Sequence, residues 1–249
     1  MTALLVVELR RIAARRVVRL FVVASVLGIA AGALAKFLSN DATFAYTDVK
    51  GLLGSTTVPF VLASWVLGAT MIGAEWRAGT IMTTLTWEPH RGRVFVSKAL
   101  AVMLAAATMF VVFQSLIAVN LIPAASHGTT EGVNAEWIRG VAGLVLRAAA
   151  LAAIAAAFGF ATASAGRNTA FALGVAFVYL AILEGGLLGN IFPGIRRWLL
   201  VGNSIVFVTR RSDFDIAGRS AVGAGIVLAL YAVGALAAAG AFFATRDVK

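Results

Sequence analysis

The sequence predicts an all-α integral membrane protein with six transmembrane helices. Three observations carry that prediction. First, 61% of the 249 residues are hydrophobic and only 13% are charged, against about half and about a quarter in an ordinary soluble domain. So few charges cannot screen that much apolar surface from water, which excludes a disordered chain and an ordinary cytosolic enzyme. Second, the apolar residues fall in long runs nearly free of Asp, Glu, Lys and Arg. Roughly 20 such residues, at about 1.5 Å rise each, cross a bilayer as a helix. Third, most basic residues lie between the runs. The 21 Lys and Arg against 11 Asp and Glu give a net charge of +10. In a membrane protein that excess marks cytoplasmic loops and anionic head groups rather than nucleic acid.

The six runs define one membrane-spanning domain over 1–249, with spans at about 17–38, 51–74, 97–123, 140–165, 168–190 and 220–245. The first is flanked by Arg19 and Lys36, whose stems can snorkel. Its arginines and Ala33-Leu34-Ala35 resemble a secretory signal with a cleavage site, but the run is long enough to remain as an anchor. The fourth is interrupted by Arg147 and the fifth by Glu184. If every run crosses, 12 basic residues fall on one side and 9 on the other. The side holding the five arginines of 1–19 and Arg77, Arg91, Arg93 and Lys98 is then cytoplasmic. Both termini lie there, in a multi-pass protein of the plasma (inner) membrane. The excess is clear in the first half of the chain and weak in the second.

Several chemistries are excluded. With no cysteine there is no disulfide, iron–sulfur cluster or thiolate metal site. His90 and His127 are far apart, so no metal site is expected. No G-x-x-x-x-G-K-[ST] phosphate loop occurs. Gly202-Asn203-Ser204 lacks the second glycine of a nucleophile elbow, and no histidine lies in a span to serve it. No paired carboxylates suggest glycosyl or metal chemistry.

Three segments outside the spans carry information. Residues 4–20 read as a basic amphipathic helix. Arg11, Arg15 and Arg19 recur every four residues, with Leu5, Leu9, Ile12 and Ala13 on other faces. Such a helix, carrying Arg10, Arg11, Arg15 and Arg16, lies in the cytoplasmic head-group layer before the chain turns into the membrane. Between spans two and three, 80–87 is low in charge but too short to cross. Pro89 predicts that a short helix ends just before it. Between spans five and six, 198–209 is also too short to cross and suits a re-entrant or interfacial piece. Pro193-Gly194 and Gly202-Asn203 are expected to divide that region into two short helices.

The order Glu75, then Gly79-Thr80, then Pro89-x-Arg91, then Lys98 at the next span resembles the permease subunits of ABC-2-type transporters. Glu8-Leu9-Arg10-Arg11 resembles the amphipathic elbow helix of that family, and Phe243 with Arg246-Asp247 resembles its ending after span six. The resemblance covers the chain by topology and about 30 residues by motif. Trp87-Glu88 before Pro89 departs from it, since a small or polar pair is usual there. The resemblance implies a coupling helix between spans two and three, served by Glu75, Trp76, Gly79, Thr80, Pro89, Arg91 and Lys98. It implies short re-entrant helices between spans five and six. It also implies partners: two separate ABC ATPase subunits that bind ATP and Mg, and a second permease subunit, identical or related. No cofactor is expected in this chain, which is then a transport subunit of an exporter and not itself an enzyme. Family substrates are amphiphilic drugs, peptides, lipids or glycans.

Charges within spans are costly, about 2.5–3.5 kcal/mol each on insertion scales. Glu184 is therefore read either as lining a substrate path or helix contact, or as a carboxylate near the outer interface satisfied by Arg196 or Arg197. Arg147 either pairs with Glu184 or snorkels outward. Gln114 and Asn120 in span three are read as lining a substrate path or, in preference, as interhelical hydrogen bonds. Gly28-x-x-x-Gly32 permits close helix packing. Two other functions stay open: a secondary transporter driven by an ion gradient, for which Glu184 is the one candidate carboxylate, and a non-transporting membrane sensor or assembly module.

Overall fold

In the computed structural model of the protein, the described residues are 2–184, 193–210 and 219–245. Helices dominate them, and no strand occurs among them. In chain order, α1 is Thr2–Ala14, α2 Arg16–Leu38, α3 Val49–Arg77, α4 Thr80–Trp87, α5 Arg91–Asn120 and α6 Ala135–Gly166. Then come α7, Thr169–Val178, which runs into a π-helical segment at Tyr179–Glu184, α8 at Leu200–Thr209, and α9 at Ala221–Thr245. Short 3-10 turns occupy Tyr46–Asp48, Pro123–Ser126 and Pro193–Trp198.

Among the described residues, five helices are long and apolar enough to cross a membrane: α2, α3 with its preceding turn, α5 with its following turn, α6 and α9. They match five of the six expected runs. The expected fifth run is helical over 169–184, and its remaining residues, 185–190, lie outside the described ones. So does the Arg246-Asp247 ending.

α6 is the centre of the bundle and packs most extensively on α3, then on α5 and α9. Small residues make this possible. Ala148, Ala152, Ala155, Ala156 and Ala163 are all buried on α6. Where α3 and α6 cross, Gly68 meets the Ala156 carbonyl and Gly159 meets the Trp65 carbonyl, leaving no room for a methyl group at either glycine. Gly28 and Gly32 do not serve as the sequence suggests: no atom would lie within 4 Å of a methyl group at either position. A G-x-x-x-G pattern permits close approach, but the approach requires a partner helix on that face, and none of the described ones takes it.

Side chains set several helix ends. Asn134 and Asn168 accept from the Trp137 and Ala170 amides, both at 2.8 Å, and so cap α6 and α7. Away from α1, the α2–α3 and α5–α6 connections are tied together. The Thr129 amide donates to the Phe44 carbonyl at 2.9 Å, and the Tyr46 amide donates to the Thr129 carbonyl at 2.9 Å. Lys36 pairs with Asp41 at 2.7 Å. Its hydrogen bond, with those from Thr43, holds the Asp41 carboxyl down to about 2.

The N-terminal helix is shorter than its pattern suggests. It ends at Ala14, and Arg15 is extended (φ −67°, ψ 127°) before α2 begins. Of the four arginines expected on one interfacial helix, Arg10 and Arg11 lie on α1, Arg15 forms the break and Arg16 opens α2. Arg15 is drawn out of the helical pattern by tertiary partners. Its guanidinium donates to the Thr70 and Met71 carbonyls at 2.9 and 3.1 Å.

Candidate functional site

At the end of the bundle where α1, α3 and α5 meet, a cluster of charges is buried. Lys98 stands one-quarter along α5 and is 1% exposed. Its ammonium lies 3.0 Å from Glu8 Oε1 of α1, and 3.0 and 2.8 Å from the two carboxylate oxygens of Glu75 near the end of α3. Arg15 lies 3.7 Å from Glu75, and Arg11 is 3.0 Å from Glu8. Two acids and one central base, flanked by two guanidiniums, thus join three helices that are distant in sequence. Buried charges persist only when paired in this way. Glu75 and Lys98 were both singled out by the motif. Glu8, 4% exposed, lies in the Glu8-Leu9-Arg10-Arg11 stretch, which marks an elbow helix and does not single out its acid as a site residue. Its signal was that it is the only acid in an otherwise basic, apolar helix.

The short helix α4 springs from this cluster. Gly79 precedes it with φ 68°, a left-handed conformation that glycine adopts without strain. The helix stops at Trp87, before Glu88 and Pro89, as Pro89 requires. Ile81 is buried in the same apolar core as Ile12 of α1, and Leu85 packs against it. The opposite side is open: Met82, Thr83 and Thr86 are exposed, and Trp87 is 86% exposed. Thr80 sits in the first turn, its hydroxyl 3.4 Å from the Glu75 carbonyl. Beyond the helix, His90 and Glu88 share a hydrogen bond of 2.8 Å that holds the Glu88 carboxyl below its usual range.

The remaining motif residues hold neighbouring ends together. Trp76 lies under the Arg167 guanidinium, 4.7 Å from its ring, and meets Phe243 edge-on at 6.0 Å. Arg91 donates to the Ala244 carbonyl at 3.3 Å, near the end of α9, where a cation is favoured. The residues Glu75, Trp76, Arg91 and Lys98 therefore gather at one end of the bundle with the far end of α9. Pro89 and Thr80 bracket α4.

Glu184 and Arg147 lie elsewhere, and they do not pair with each other. They hold opposite ends of α8. Glu184 Oε1 accepts from the Val201 amide at 2.7 Å and from the Tyr179 hydroxyl at 2.8 Å. The Tyr179 oxygen in turn accepts from the Leu200 amide at 2.8 Å. Arg147 donates to the Val208 carbonyl through two nitrogens, at 3.2 and 3.1 Å. An acid at the amino end and a guanidinium at the carboxyl end both complement the helix dipole. The α8 helix also runs through Gly202-Asn203, where the sequence suggested a break. The break falls at Leu199 instead. Asn203 is fully buried and its side chain donates to the Arg197 and Leu199 carbonyls, while accepting from Arg219 at 2.9 Å. Tertiary partners thus absorb a residue that would otherwise favour a turn.

Gln114 is buried and donates to the Leu53 carbonyl of α3 at 3.2 Å, the expected interhelical bond. Asn120 instead donates to Leu116 within its own helix, at 2.9 Å. Among the described residues, no three of His, Asp and Glu cluster in a way that could hold a metal ion.

The α8 clamp has a measurable consequence. Hydrogen bonds to charged groups contribute about 1.5–3 kcal/mol. Arg147→Met is expected to raise amide exchange in the last turn of α8 by roughly ten- to hundredfold, with exchange in α6 unchanged. Exchange that stays slow in α8 would show that the guanidinium does not hold it.

No family model and no curated protein matches the chain.

Proposed function

We propose that this chain is the membrane-spanning permease subunit of an ATP-driven ABC-2-type exporter. The observation that carries the reading is α4: a short helix on the ends of two long apolar helices, anchored by one face and open on the other. Two such chains, identical or related, form the translocation path as a dimer in the plasma (inner) membrane. Each spans it six times, the expected fifth run at 168–190 counting as one of the crossings, with both termini cytoplasmic. Two separate ATPase subunits bind ATP and Mg and dock below, against Met82, Thr83, Thr86 and Trp87. The permease itself needs no cofactor.

The buried cluster has a mechanical role in this reading. When the ATPases close on ATP, they displace α4. Because Lys98 ties the end of α3 to α5 and α1, that displacement moves three helices together rather than bending one. Glu75 and Lys98 act as positioning residues behind the docking surface, since Lys98 is not accessible to a partner. The α1 helix, with Arg10 and Arg11, lies along the head-group layer and moves with them. Contacts that differ between the two states lie at α4 and at the dimer seam.

The ion-gradient alternative has less support. Its one candidate carboxylate, Glu184, is engaged in holding α8.

The test looks for a Walker-motif ATPase gene beside this one and co-expresses its product with the full chain. Co-purification, with ATPase activity that rises on assembly, is expected. Trp87→Glu with Thr83→Glu, both on exposed positions, should abolish co-purification while leaving insertion and thermal stability unchanged. Transport that survives ATP depletion, or full coupling in the double variant, would overturn the assignment.

A further inference from the structure

A cleft of about 690 Å³ opens between α2, α3 and α5. Its walls include Phe21, Phe60, Leu67, Met109, Phe110 and Phe113, and its end is formed by Arg15 and Arg16. The cleft is open sideways, since Val17 and Val66 on its two edges are 76% and 43% exposed. Its hydroxyl groups are already satisfied: Ser64 and Thr70 donate to the Phe60 and Leu67 carbonyls of their own helix. Arg15 is spent on the Thr70 and Met71 carbonyls and on Glu75. Arg16 is exposed and has no hydrogen bond or ion pair with any described residue.

This is an apolar slot with one unpaired cation at its end, set between helices long enough to span a membrane. An uncharged apolar occupant would fill the slot and leave Arg16 unpaired. A free anion would pair with Arg16 and leave the slot empty. An amphiphile with an anionic head satisfies both. We propose that the cleft binds an anionic phospholipid, with one acyl chain between α2 and α3 and its phosphate on Arg16. The lipid would wedge α2 against the bundle where protein atoms leave a gap. The inference rests on the membrane assignment of these helices and is independent of any ATPase.

The experiment uses the purified full chain in nanodiscs of equal phosphatidylglycerol and phosphatidylcholine with matched chains. Lipid retained through delipidation is counted by native mass spectrometry. One tightly held phosphatidylglycerol per chain is expected. A single basic side chain near an anionic surface accounts for about fivefold in binding, so Arg16→Gln should lower the preference for phosphatidylglycerol by about that factor. Arg10→Gln, exposed but remote from the cleft, should leave it unchanged. Ala63→Trp, which fills the cleft, should abolish retention of both lipids. Because Arg16 is exposed, its variant decides the head-group contact even if the Trp variant fails to fold. The proposal is overturned if Arg16→Gln has no effect. It is also overturned if Arg10→Gln lowers the preference equally, which would mark a diffuse charge effect, or if glycerol phosphate displaces the lipid, which would mark a phosphate site without a chain. An ATPase that fails to co-purify would remove the exporter reading and leave this result untouched.

Discussion

Lys98→Met is expected to destabilise the folded protein by about 3–5 kcal/mol, the range for removing one partner of a buried ion pair. The size follows from what the ammonium does. It lies within 3.0 Å of carboxylate oxygens from both Glu8 and Glu75. Without it two acids face one another in a region closed to water. Arg11 and Arg15 offset part of the loss, but Arg15 sits 3.7 Å from Glu75 and Arg11 is half exposed. Thermal unfolding in mild detergent gives the comparison. A second variant, Glu8→Leu with Lys98→Met, removes one acid with the base and leaves Glu75 to Arg15. It is expected to be more stable than Lys98→Met alone, because a matched apolar replacement restores most of what a broken pair loses. A change below about 1 kcal/mol in the single variant would mean that the cluster contributes little.

The second large effect is steric. Gly159→Ala and Gly68→Ala are each expected to destabilise by about 3 kcal/mol, at the upper end of the range for overpacking. In both cases the new methyl group meets backbone, a carbonyl of the opposing helix, which cannot rotate away. The backbones of α3 and α6 must then separate along their whole contact. Gly28→Ala is the control. Its methyl group meets nothing, and alanine is the better helix former by about 1 kcal/mol, so it should be neutral or mildly stabilising. Equal effects at Gly28 and Gly159 would show that α3 and α6 do not cross as described. Monodispersity and thermal stability in detergent separate the outcomes.

Much of the fold was legible because a bilayer makes simple demands. Runs of uncharged apolar residues predicted five of the long helices to within a few residues at most ends. The stop at Pro89 was legible because proline lacks an amide and clashes with the preceding turn. Helix breaks set by tertiary partners were not legible. The fourfold arginine spacing continued through Arg15, yet the helix breaks there, because two carbonyls of α3 capture its guanidinium. Gly202-Asn203 read as a turn, yet α8 runs through it, because the Asn203 amide bonds back to preceding carbonyls.

The charged residues show the same division. Their identities stood out, since a carboxylate or guanidinium in an apolar run must be compensated. Their partners did not. Glu184 and Arg147 were candidates for pairing with each other, and each instead holds one end of α8. Glu8 does not stand out in a basic stretch, although it completes the shell of Lys98.

By itself, the sequence determined the helical class, the positions of the long apolar helices and the residues whose charge needed an explanation. Those follow from composition and spacing, and both are local quantities. Only the tertiary structure decided which glycines carry the helix crossing, which carboxylate meets which base, and where an open cleft remains. Each of these depends on the distance between helices far apart in sequence, and a one-dimensional pattern of polarity does not encode that distance.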